Sequence, residues 1–464
     1  MSNASNKTNA VIAANRFGLG AKPGDLEQAE KNPQKWLTAQ LTPVTFTQDL
    51  PGSNDLFQQL SDYQAIKKQN KKNNVSADKD KKDNKKRSRF IQTTYRQVAT
   101  DAFVQSINSD NSLAWRLLDF FSNHFSVSAN GPVMTVIAAT LEREAIAENL
   151  FNRFEDMLLA VSKHPAMLIY LNNERSFGVK SRLAKSSKNS KNKRKAKKTI
   201  GLNENLAREI LELHTLGVSA GYSQEDVIEL AKGITGWSVA NPVKDDAVGF
   251  KYRSWGKEPG NRVLLGKTYK QKGINQGEAM LKDLANHPTT AKFVCTKLVK
   301  HFISDKPEPQ LIDILVKRWQ KTGGNIKEVM LALIHAEQAW LPARQKFKTP
   351  REFVQSSYRA LQVKEVNFKT LFFSLNSFGQ QPFQAGSPAG YSDEQQDWDG
   401  ANALMAKIDW TAMQVRKYSA NAENVINQTL ALQPTEHTYK SVVRAESRRQ
   451  ALVLTLLSPE FLRR

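Results

Sequence analysis

The stretch Gly201–Gly217, GLNENLAREILELHTLG, decides how the chain is read. At about 100° per residue, Leu206, Ile210 and Leu213 share one face, while Asn205, Arg208, Glu209, Glu212 and Thr215 share the opposite side. That pattern predicts a helix with one apolar stripe. Asn203 or Asn205 can cap its start, Glu204 sits near its positive end, and Gly217 can terminate it.

The same period recurs outward from this segment. Ser112 can cap a helix through about His124, whose stripe is Leu113, Leu117, Phe120, Phe121 and His124. Residues 141–163 form a longer amphipathic run. Pro165 suits the first turn of a short helix through Leu171, with His164 as its cap. Ser223 and Asp226 make a capping box before a helix ending at Gly236. Pro288 opens a helix through about Ile303, and Glu436–Leu457 reads as a final amphipathic one. Only 249–270 departs from the period. There Phe250, Tyr252, Val263, Leu264, Leu265 and Tyr269 flank a turn at Pro259-Gly260, which predicts a short β-hairpin.

The expected fold is therefore mostly α, a multi-helix orthogonal array in two or more lobes. A chain of 464 residues exceeds one compact core. The expected organisation is a helical segment at 1–66, a helical core in two parts at 90–179 and 199–340, and a C-terminal helical region at 341–464. Two basic inserts at 67–89 and 180–198 interrupt it.

Charge is concentrated in those inserts. The formal net charge is +22. Residues 67–89 hold eleven Lys or Arg against Asp78, Asp80 and Asp83, and 180–198 hold ten with no acid, so the inserts carry +18 and the rest only +4. Both lack apolar periodicity and are rich in Lys, Asn and Ser, so disordered loops are expected. Aromatic rings are nearly missing from them, which argues against base stacking and leaves sequence-indifferent, salt-dependent polyanion binding.

No apolar run approaches the ~20 residues of a membrane span, and no secretory signal is visible at Met1–Asn15. Absence of a signal favours a cytoplasmic protein, although co-export with a partner would leave the same sequence. The single cysteine, Cys295, excludes an intramolecular disulfide and a cysteine-cluster metal site. No zinc-protease, serine-elbow or phosphate-loop signature is present. The residues therefore name neither a metal nor a cofactor.

The candidate catalytic residues are Glu209, Glu212 and Arg208, with His124 beside them. Crowded carboxylates split their pKa values, which suits acid–base work. Against this, a helix face with an Arg208–Glu212 pair is usually just solvated, and His124 follows an aromatic stripe that fits a packed core histidine. Asn203 and Asn205 would position a ligand. Asn172, Asn173, Thr235 and Trp237 are further ligand-binding candidates, though Asn172 and Asn173 also suit a left-handed helix end. Thr235-Gly236-Trp237 also suits a helix stop with an anchoring ring.

Several motifs occur together. Asn15-Arg16-Phe17-Gly18-Leu19-Gly20, Trp36-Leu37 and Ser122-Asn123-His124-Phe125 come first, then His164-Pro165-Ala166-Met167-Leu168 with Tyr170-Leu171-Asn172-Asn173. Asn203–Glu209 through Leu216-Gly217, Thr235-Gly236-Trp237, Lys348-Thr349-Pro350, Ser387-Pro388-Ala389-Gly390 and Ser458-Pro459-Glu460-Phe461 follow. In this order they resemble the bacterial proteins catalogued as domain of unknown function 1800, nearly end to end. The resemblance implies no established reaction. It implies a neighbour, the sulfatase-like domain of unknown function 1501 with twin-arginine export signals, as a partner and as a route of co-export. Three functions are therefore expected, in this order. The first is a helical accessory protein of an exported sulfatase-like partner. The second is a hydrolytic or acid–base enzyme using the 203–217 helix, and the third a polyanion binder.

Overall fold

The computed structural model describes residues 3–73, 77–188, 201–245, 247–342, 344, 346–418 and 420–464. Helices dominate, and they pack around two main apolar cores. The larger draws its side chains chiefly from Ala10 to Ala339 and centres on rings such as Phe17, Phe121, Phe125 and Phe154. The second is built from residues 347–462 together with Phe103 and Ile107. The link between the two is the long helix Ala77–Asn108, which supplies Ile91, Tyr95 and Val98 to the first core and Phe103 and Ile107 to the second. No described helix is long and apolar enough to cross a membrane.

Local signals set most of these helices. Ser112–His124 forms as its stripe requires, with Leu113, Leu117, Phe120 and Phe121 buried. His164 caps Pro165–Tyr170 by accepting the Ala166 N–H at its Nδ1. Ser223 and Asp226 close a capping box at the start of Gln224–Gly233. Two long expected runs are broken. Residues 141–163 divide into a π turn at Glu142–Ile146, a 3-10 turn at Ala147–Asn149 and a helix at Phe154–Lys163. The break falls where Arg153 leaves helical geometry to bridge Asn325. Residues 436–457 likewise divide into His437–Val443 and Arg448–Leu456, the latter recapped by Ser447.

The decisive stretch also departs from an ideal helix. Asn205–Glu209 is α-helical, but Ile210–Thr215 widens into a π turn, and Leu216 N–H donates to Leu211 O five residues back. A wider turn rotates the residues after it. Leu211, His214 and Thr215 are buried, while Leu213 is only half-buried. Thr215, expected on the polar side, instead donates its hydroxyl to Ile210 O at 2.6 Å inside the core.

Three of the four β elements lie within the expected 249–270, but the first precedes it, where a helix stop was expected, and the pairing differs. Strand β1 (Trp237–Val239) runs antiparallel to β2 (Phe250–Tyr252), with Trp237 opposite Tyr252. Strand β3 (Arg262–Leu264) pairs with β4 (Lys267–Tyr269). The tight turn is Leu265-Gly266, both at positive φ, the geometry of a two-residue type I′ hairpin. Pro259-Gly260 merely links β2 to β3.

The first basic insert corrects an expectation. Apart from the turn residue Asn73, its described residues are not a loop but belong to the helices Ser53–Lys72 and Ala77–Asn108. Lysine is a good helix former, and the two helices meet through a Tyr63–Phe90 ring contact at 5.5 Å and a buried Asn70 donating to Asp83 at 2.9 Å. In the second insert Arg182–Lys188 is helical, and 189–200 lie outside the described residues.

Candidate functional site

The sequence-derived candidates fall in separate places. Arg208 sits between Glu204 and Glu212, 3.4 Å from each, and donates to Gln224 at 2.9 Å. Its side chain is 38% exposed and Asn205 is exposed, so this face meets solvent. Burial raises the Glu209 carboxyl above its ordinary range, with Glu212 adding to the effect and Arg208 opposing it. An exposed ion-pair network of this kind contributes little to stability. Arg208→Ala should lower unfolding stability by less than about 1 kcal/mol in a denaturant titration.

The second group forms a packing latch. Asn173, buried, donates to Trp237 O at 3.0 Å, and the Trp237 ring is wholly enclosed. Thr235 donates to Lys232 O and accepts the Glu258 N–H. Between them Gly236 has φ +80°, and a Cβ there would lie 2.6 Å from Arg253 O, so only glycine fits. Asn172 is exposed and takes the left-handed conformation at φ 57°. Asn203 accepts the Asn205 N–H, and its own N–H donates to Ser176 Oγ at 3.0 Å, while the Ser176 carbonyl accepts the Gly236 N–H of the latch.

His124 lies in the core. Its Nε2 donates to His214 O at 3.1 Å, and its Nδ1 accepts from Lys297 at 3.1 Å. Burial, then Lys297, hold it well below the usual imidazole range, so it is neutral. It packs among Phe120, Phe125 and Phe154. The three groups touch at single contacts, through Ser176 and through His214 O.

A different set of residues does converge. A cavity of about 90 Å³ opens between the two cores, walled by the Ser112–His124 helix, the Glu142 π turn, the end of Pro288–Phe302, the start of Pro350–Ala360 and the 380–393 loop. Its floor is ionic. Glu352 accepts from Arg116 and from Arg464, each at 2.7 Å, and all three are buried. Arg116 also donates to Gly18 O and Arg464 to Phe302 O. Burial alone would raise the Glu352 carboxyl, but Arg464 and Arg116 outweigh it and hold it down at about 2.

The walls carry further charged groups. Arg351 grips Asp119 at 2.7 Å. His301 Nδ1 lies 3.0 Å from Asp393. Burial opposes ionisation of Asp393, yet His301 and Lys346 keep it below the usual carboxylate range. Burial also lowers His301, against the pull of Asp393. We read the pair as a neutral imidazole donating Nδ1–H to a carboxylate. The buried Nε2 of His301 then has no partner among the described residues, an unmet polar capacity of the kind ligands or solvent complete. The fifth acid–base group is Glu142, 5% exposed. Burial pushes its carboxyl up to about 7, Asp119 adds to that, and Arg351 opposes it while engaged by Asp119.

The 380–393 loop closes the cavity through a backbone fit. Asn123 accepts Tyr391 N–H at 2.7 Å and donates to Tyr391 O at 2.8 Å. Gly390, at φ +83°, would place a Cβ 2.5 Å from Asn123 O. The Ser387-Pro388-Ala389-Gly390 motif thus serves as the clasp of the cleft.

No local sequence pattern marks this site, because each of its residues has a sufficient local role. Glu352 completes the capping box of Thr349. Arg116 was the available signal, a guanidinium between Leu113 and Leu117 on a helix buried nearly all round. Glu142 opens one of the π turns, a feature frequent at functional sites. Among the described residues no cluster of His, Cys, Asp and Glu is arranged to hold a metal ion.

A family model described as Protein of unknown function (DUF1800) matches residues 12–463. No curated protein and no solved structure matches the chain.

Proposed function

For this chain, which belongs to the DUF1800 family, we propose that the cleft between the two cores binds a small polar ligand and transfers a proton to it from Glu142. The observation that carries this reading is a buried carboxyl pushed to about 7 in a cavity that also holds an ionic floor. Pairs of titratable groups whose surroundings separate their pKa values mark acid and base assignments. Here Glu142 is the protonated partner, able to donate. Asp119, tied to Arg351, and the Asp393–His301 pair are the groups that can accept or orient. A perturbed acid in a cleft is also the pattern expected of functional sites.

This keeps the acid–base class of chemistry expected from the sequence and moves it from Glu209 and Glu212 to Glu142. The cleft favours chemistry over the accessory role that the resemblance implies, because a pure docking protein has no use for a buried proton donor. Its small volume restricts the reacting part of the ligand to a few non-hydrogen atoms.

The test combines titration with turnover. Carbon-13 NMR of labelled glutamate should show one carboxyl, absent in Glu142→Gln, titrating near neutrality. A panel of ester, glycoside and phosphate chromogenic substrates should give turnover that Glu142→Gln lowers by about 10²-fold or more. Titration of Glu142 in the ordinary carboxyl range, or full turnover by the variant, would overturn the proposal.

A further inference from the structure

A second cavity, of about 440 Å³, adjoins the cleft's ionic floor at Arg464 and is otherwise lined by different residues. One wall is the Asn3–Ile12 helix and the π turn Ala13–Phe17 that follows it, and the facing wall is Pro342, Arg344 and the 430–436 loop. In the loop, Ala431 is held at φ 50°. The volume is within the roughly 300–1,000 Å³ typical of small-molecule sites, and the proton transfer proposed for the cleft does not involve it.

Its lining has two characters. Val11, Ile12 and Leu432 give an apolar surface. Lys7, Arg16 and Arg344 bring cations to the same space. Arg16 is only 3% exposed and is oriented by donating Nη1 to Ala339 O at 2.8 Å. Arg344 is half-buried and Lys7 exposed. Arg464 also lines the cavity, but its guanidinium is directed to Glu352 and Phe302 O. The acid among these residues, Glu436, accepts the Gln433 N–H of its own loop and, with Glu460, partly offsets the charge of Arg344, which leaves Arg16 and Lys7 as the excess of cations.

Cations gathered in a partly desolvated space repel one another. Burial, then Arg464 and Arg344, lower the Arg16 guanidinium to about 10. An anion in the cavity would relieve that repulsion and gain charge-assisted hydrogen bonds. The planar donors of arginine suit a carboxylate or phosphate in particular.

We propose that this cavity binds a small organic anion, with a carboxylate or phosphate head on Arg16 and Arg344 and an apolar body against Val11, Ile12 and Leu432. The head group is shared chemistry, so the experiment separates the two. Calorimetric titration of the full chain uses benzoate, phenyl phosphate and, as the cationic counterpart, benzylamine. Binding of at least one anion and not of benzylamine is expected, and the stronger anion identifies the head group. Arg344→Gln should weaken that binding about tenfold or more. Lys7→Gln, at an exposed position, should weaken it less without altering the melting temperature. Three results would overturn the proposal: equal binding of benzylamine, anion binding untouched by both variants, or no anion binding at millimolar concentration.

Discussion

Glu352→Ala should destabilise the protein by about 3–5 kcal/mol at neutral pH, the largest effect expected of any single polar substitution in the cleft. The reason is asymmetry. Glu352 is the shared partner of Arg116 and Arg464, and removing it leaves two guanidinium groups buried without their counter-ion. Glu352 also accepts the Thr349 N–H, so the variant loses a helix cap as well. Acid should imitate the substitution. The carboxyl is held at about 2 in the folded protein against an ordinary value of 4.5. Its contribution is therefore present above about 4.5 and lost as pH falls from there through about 2. The difference between wild type and Glu352→Ala, from urea midpoints, should be full at pH 7 and shrink through that acid window. A constant difference across it would remove Glu352 from its place as the ionic floor.

The second large effect has the opposite sign. Glu142 is raised from 4.5 to about 7 by burial, so its stabilising contribution is full below about 4.5 and is lost as pH rises through about 7. About 2.5 pKa units correspond to about 3 kcal/mol. Glu142→Gln keeps the shape of the side chain and cannot ionise. Its stability should match wild type near pH 4.5, and above pH 7 the variant should be more stable by about 3 kcal/mol. Measured unfolding free energies of the pair from pH 4 to 9 check this directly. Parallel curves would mean that Glu142 stays solvated and that no proton is stored in the cleft. A wild type that gives up stability at neutral pH for an ionisable buried acid follows the trade usual at reactive sites.

The two substitutions act on one cavity, so their effects should couple. Arg351 links them, since it opposes the rise of Glu142 while bound to Asp119 and sits next to Glu352 in the same helix turn.

Much of the helical body was legible in the sequence because its causes are local. The stripe Leu113, Leu117, Phe120 and Phe121, the Ser223–Asp226 capping box, and Pro165 and Pro288 in first turns act within a few residues of themselves. The family motifs were legible for the same reason, being short and contiguous. The interrupted runs at 141–163 and 436–457 were not, because an amphipathic pattern continues through a turn that packing has broken. Nor was the helical state of the described parts of the first basic insert, 67–72 and 77–89. Their composition lacks an apolar period, and only the opposing helix supplies Tyr63 for Phe90 and Asn70 for Asp83.

What the sequence by itself determined, then, is the helical class, the placement of caps and turns, and the membership signalled by its motifs. The tertiary structure alone decided where charge is buried. Arg116, Glu142, His301, Glu352 and Asp393 stand up to 277 positions apart in the chain, and each is an ordinary polar residue until the two cores close on it. Desolvation and Coulomb interaction depend on distance in space and on surrounding solvent, neither of which a linear pattern records. For that reason the polar face of the 203–217 helix, conspicuous in the sequence, stays at the surface, while the cleft with its ionic floor is assembled from residues that draw no notice one by one.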